Sequence, residues 1–255
     1  MRVKSLTVFT GVLMFGLLLG ASSTAHADAI SVTSFSFTNL QFTPSAGTAQ
    51  FTVTGVTARA DASNLPLTQT ITSNSFPIAQ ASAAVSGATA TATANAEMRS
   101  LSADTTVSIG GCSCAAGSFG QAILMGTLVL SGAEGNVDVN ITALQTFLWL
   151  VQNDQFGQYA ESGLNFDFFV NGAPVFSLQV DALHPRGPNE FGTVQGGGQV
   201  SRTITLQGGS TNTIVARLST TSLGINEAVP EPASVLLLVS GLGFMTGVLK
   251  KRRNR

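Results

Sequence analysis

From Leu164 onward, apolar and polar residues alternate at nearly every step. Leu164, Phe166, Phe168 and Val170 fall on one phase, Asn165 and Asp167 on the other. A period of two places these sets on opposite faces of a β-strand. Asn171-Gly172-Ala173-Pro174 then turns the chain, and Phe176, Leu178 and Val180 return. The pattern recurs in Val200, Ile204 and Leu206, the turn Gln207-Gly208-Gly209-Ser210, and Ile214, Ala216 and Leu218. Val137, Val139 and Ile141 alternate with Asp138 and Asn140. Earlier, a β-rich stretch from Ile30 to Phe42 reaches Thr43-Pro44-Ser45-Ala46-Gly47, and a second runs from Ala49 to Ala58. Short strands separated by Gly, Asn and Pro predict an all-β fold. The expected form is an antiparallel β-sandwich, jelly-roll-like or Ig-like, with a barrel as the alternative.

Two stretches are ambiguous by period. In Ala88–Ala96, alanine and threonine alternate strictly. Alanine favours helix, but the β-branched threonines favour a strand with a small-residue inner face. The competing reading is a flexible linker dividing the body in two. Leu144–Val151 fits a helix or a buried strand carrying Phe147, Trp149 and Val151.

The two ends break the pattern. Met1-Arg2-Val3-Lys4 is basic, Leu6–Leu19 is apolar, and Ala25-His26-Ala27 precedes Asp28. That order is a secretory signal, with cleavage expected after Ala27, so that Asp28 begins the exported chain. At the other end, the 17 residues from Ala233 to Leu249 carry no charge and are apolar all round. A soluble helix would show a polar side, so a short transmembrane helix is the expectation. Lys250, Lys251, Arg252, Arg253 and Arg255 follow. A basic cluster there holds the C-terminus in the cytoplasm. The expected parts are a signal peptide (1–27), an exported all-β domain (28–228) and a C-terminal tail (229–255).

Val229-Pro230-Glu231-Pro232, the apolar helix and the basic cluster, in that order, resemble the PEP-CTERM sorting signal of Gram-negative bacteria. The defining triplet matches Pro230, Glu231 and Pro232. The resemblance is confined to the tail. It implies processing near the triplet by an exosortase, a membrane-embedded cysteine protease-transpeptidase. It also implies a precursor in the inner membrane, delivery to the cell surface or matrix, and a link to exopolysaccharide and biofilm. The chemistry agrees, since two prolines keep the segment extended and deny it helix or sheet hydrogen bonds.

Between the ends there is no lysine, and five arginines stand against twelve acidic residues, a net charge of about −7. Phosphate binding needs clustered basic residues, so nucleic acid is not an expected partner. Cys112 and Cys114 are the only cysteines. In an exported domain a local disulfide is the leading reading, ahead of free or partner-linked thiols, a metal site and a redox pair. His184 is the only histidine of the body, and Asp181 lies three residues before it in an expected loop. No Gly-x-Ser-x-Gly elbow accompanies them, so His184 reads as a loop residue without a catalytic role. Asp154, Glu161 and Asp167 lie in or beside a segment read as a loop from Asn153 to Asn165. Without an Asp-x-Asp-x-Asp-Gly pattern they read as solvated carboxylates rather than calcium ligands. Trp149 sits in an apolar run and is expected to be buried.

No cofactor or metal is implied. The leading expectation is a non-enzymatic surface or matrix protein with a structural or interaction role. A carbohydrate-binding or adhesive module is the alternative, and a hydrolase ranks last.

Overall fold

A computed structural model describes residues 28–110, 114–153, 158–183 and 190–226. Twelve strands account for most of them: β1 Asp28–Pro44, β2 Thr48–Asn64, β3 Leu67–Ser73, β4 Ile78–Val85, β5 Ala88–Asn95 and β6 Ser100–Gly110 come first. Then follow β7 Cys114–Ser131, β8 Asn136–Asn153, β9 Gln158–Val170, β10 Ala173–Leu183, β11 Glu190–Gln207 and β12 Thr211–Asn226. One six-stranded antiparallel sheet runs β11-β8-β1-β6-β5-β4, the other β10-β9-β12-β7-β2-β3. The two pack face to face as a sandwich, with β12 over β1 and β6, and β2 over β4 and β5.

Several expected details hold. Leu164, Phe166, Phe168 and Val170 are all buried, and Asn165 and Asp167 face out. Asn171-Gly172 is the turn of the β9–β10 hairpin, with φ of 51° and 79°. Leu144–Val151 belongs to β8, and Trp149 is buried. Ala88–Asn95 is strand β5, hydrogen-bonded to β4 on one side and β6 on the other, so it is no linker. Its alanines 88, 90, 92 and 94 are buried.

Other details are corrected. Five strands reach 17 or 18 residues rather than being short. Four of them, β1, β2, β7 and β8, have a bonded strand on each side, which pairs their backbone groups, whereas β11 is bonded to β8 alone. In the expected loop from Asn153 to Asn165, residues 153 and 158–165 are strand and 154–157 lie outside the described residues, and Asp181 lies in β10. Polar residues on the outer face of β9 made that stretch look like a loop.

The core is uneven. Towards β4 and β5 it is built of alanine: Ala58, Ala60 and Ala62 of β2 face Ala79, Ala81, Ala90 and Ala92. A Cβ at Gly120 of β7 would lie 2.8 Å from the Thr91 carbonyl oxygen, so the sheets approach backbone to side chain here. Around β1, β8 and β9 the core is aromatic. Phe37 and Phe166 stack across the sheets at 3.8 Å and 6°. Between these regions lies a seam of buried hydroxyls. Thr33 donates to the Thr221 carbonyl at 3.0 Å, Ser162 to the Val32 carbonyl at 3.2 Å, and Ser222 to the Thr105 carbonyl at 3.3 Å. Each bond joins one sheet to the other, which satisfies polar groups that burial would otherwise penalise.

Candidate functional site

The two ends of the body leave from one end of the sandwich. Asp28 opens β1 opposite Gly110, and Asn226 closes β12 opposite Cys114 and Gln158. The turns at 45–47, 132–135, 171–172 and 208–210 lie at the far end. Ala25 and Ala27 of the cleavage site lie outside the described residues. So do Pro230, Glu231 and Pro232, the apolar run, and Lys250, Lys251, Arg252, Arg253 and Arg255. Among the described residues, no helix is long and apolar enough to cross a membrane.

Cys114 is disulfide-bonded. The one other cysteine of the chain, Cys112, lies outside the described residues, as do Asp154 and His184. Glu161 and Asp167 both point outward from β9 but are six residues apart, roughly 20 Å along a strand. They cannot share a cation. Glu161 accepts a hydrogen bond from the Tyr159 hydroxyl at 2.6 Å, and Asp167 accepts from Asn165 and Ser177. Burial, then the bond to Glu161 and its negative charge, push the Tyr159 hydroxyl up to about 12. No group of three His, Cys, Asp or Glu side chains that could hold a metal occurs among the described residues.

No local pattern in the chain announces the cleft described among these residues. It opens between the sheets at the β10–β11 side, lined by Phe37, Ile141, Phe166, Phe168, Phe176 and Val200. The Arg202 guanidinium lies at its mouth, 5.0 Å from the centre of the Phe176 ring. Its volume is about 30 Å³, against the several hundred of a small-molecule site. Ser201 and Arg202 are the polar residues of its lining, so it offers no nucleophile paired with a base. All four described arginines, Arg59, Arg99, Arg202 and Arg217, lie over phenylalanine rings. A cation on a ring face gains modestly from the ring's quadrupole. The scarce positive charge therefore covers aromatic surface, and the one ion pair among the described residues is Arg59–Asp61 at 2.8 Å.

The broadest chemical feature is the outer face of the β11-β8-β1-β6-β5-β4 sheet. Thr89, Thr91 and Thr93 of β5 lie beside Thr106, Asp104 and Ser102 of β6. Those lie in turn beside Val32, Ser34 and Ser36 of β1, and Ser36 bonds Thr146 of β8 at 2.6 Å. Asp104 and Asp138 are the charged side chains described on this face. The opposite sheet's outer face carries Arg59, Asp61, Glu161, Asp167 and Arg217. One face thus carries hydroxyls and amides with few charges, beside the exposed apolar side chains Ile78, Leu144, Leu148 and Phe191, and the other is a charged surface. No protein-family model and no curated protein matches the chain.

Proposed function

We propose that this is an exported surface or extracellular-matrix protein, sorted through its PEP-CTERM-like tail by an exosortase. Its sandwich body has a structural or interaction role in exopolysaccharide or biofilm. The observation that carries the role is the hydroxyl-rich, nearly uncharged outer surface of β5, β6 and β1. Sugar polymers present hydroxyls at close spacing, and Ser and Thr can donate and accept with them in many registers. The order of triplet, apolar run and basic cluster supports the sorting part. The finer fold class is jelly-roll-like. Seven of the eleven connections cross between sheets, and β1–β8, β2–β7 and β4–β5 pair as in a hairpin wound on itself.

A carbohydrate-binding module is the sharper form of the same reading. The test is co-sedimentation of the exported protein with exopolysaccharide from its own host. Replacing Thr89, Thr91 and Thr93 by valine keeps shape and removes three hydroxyls. Retention of the unmodified protein and loss of retention in the triple variant are expected. Equal retention of both, or none of either, overturns the assignment of this face.

A further inference from the structure

We infer that β11 is a self-pairing edge, on which a second copy of this chain adds its own β11 antiparallel to extend the sheet. The four edge strands of the sandwich are not alike. β3 has seven residues and lies between Pro66 and Pro77, and β4 has eight and begins directly after Pro77. β10 carries Pro174 and shifts register against β9 twice. Short length, proline and bulges are the usual means of blunting an edge. β11 has none of them. It runs 18 residues without proline or lysine and pairs β8 in unbroken register. β8 takes one of its edges, and among the described residues no strand takes the other. Its outer row of N–H and C=O groups can therefore accept a strand.

The sequence of this edge selects the partner. Val194-Gln195-Gly196-Gly197-Gly198-Gln199-Val200 reads the same in both directions about Gly197. In an antiparallel pair with its twin, Gly197 lies opposite itself. Gln195 then lies opposite the second copy's Gln199, and Val194 opposite its Val200. Gln195 and Gln199 are both exposed in the single chain, on the outer face of the sheet. The two-fold axis makes each such pair occur twice, as an isologous interface requires. Slipping by one residue turns every side chain to the wrong face, and slipping by two separates the glutamines.

The glycines have a further reason within the chain. A Cβ at Gly196 would collide with the Phe147 ring, and one at Gly197 would lie 2.9 Å from the Gln145 carbonyl oxygen. Gln195 and Gln199 face solvent in the single chain, and with Val194 and Val200 they complete the symmetry.

The register can be tested in intact cells producing the full chain. Gln195→Cys and Gln199→Cys combined in one chain, after oxidation, should give a disulfide-linked dimer on a non-reducing gel. Either substitution alone should not, because each residue faces the other's position. Co-expressing the two single variants should restore the link. Independently, the exported protein should sediment as a dimer, and Gln195→Lys with Gln199→Lys should return it to a monomer with an unchanged circular-dichroism spectrum. An unmodified protein that sediments as a monomer overturns the proposal. So do single variants that cross-link as strongly as the pair, or a dimer that the two lysines leave intact.

Discussion

Phe166 and Asn165 are neighbours in sequence and opposites in environment. Phe166 is buried and stacks on Phe37 and against Phe176, whereas Asn165 faces out beside Asp167. Phe166→Ala and Phe168→Ala should each destabilise the fold by about 3–5 kcal/mol, the transfer loss plus the cavity left behind. Asn165→Ala should cost less than about 1 kcal/mol in the same urea titration. Tyr159 offers a second measurement, since it is the only tyrosine in the chain. Its absorbance should titrate near 12 instead of near the ordinary 10. A raised pKa means that the folded state holds the proton more tightly. Its stabilising contribution is therefore full below pH 10 and falls away between about 10 and 12. Tyr159→Phe should remove that part of the alkaline loss of stability, and a midpoint near 10 in the native protein would contradict the Tyr159–Glu161 contact.

At the scale of elements, the alanine-lined strands form a thin half and the aromatic-lined strands a thick one. The thin half has no room to spare: Ala90 and Ala92 of β5 are 1% and 2% exposed, and Gly120 lies close beneath. Ala92→Leu should cost about 1–3 kcal/mol by overpacking. Thr91→Val, one residue away on the outer face, should change stability by no more than about 0.5 kcal/mol. Equal effects in a denaturant titration would mean that the sheets do not close on each other there. The alternation of Ala and Thr in β5 was legible as a strand with a small-residue face. The hydroxyl seam was not. In β1, Ser31 and Thr33 point inward while Ile30 and Val32 point out, against the usual rule. The inward positions must be small because the sheets are close, and their hydroxyls are satisfied by carbonyls of the facing sheet, which no local pattern announces.

For the whole molecule, the sorting proposal makes the parts of the tail fail differently. Changing Pro230, Glu231 and Pro232 to alanine lets a helix extend through the triplet and removes the extended segment. The precursor should then accumulate at full length in the inner membrane, as in a strain lacking the exosortase. Normal mass and location in the triple variant would leave the triplet a mere spacer. Replacing Ala25 and Ala27 by bulky residues should leave a larger, membrane-held precursor, and an unchanged mature mass would refute the cleavage assignment.

Local alternation alone determined that the body is all-β, that the chain turns near 45–47, 171–172 and 208–209, and which residues of β5, β9 and β12 face inward. Those properties depend on period and turn chemistry, which are written residue by residue. Tertiary structure decided the rest. The length of β1, β2, β7 and β8 follows from having a partner on both sides, and the fate of the outward apolar residues Ile30 and Val32 follows from how near the sheets lie. Only the sheet order shows that β5 is an inner strand and β11 an edge. The run Val-Gln-Gly-Gly-Gly-Gln-Val is visible in the chain, but its symmetry acquires meaning only because, among the described residues, no strand takes the outer edge of β11.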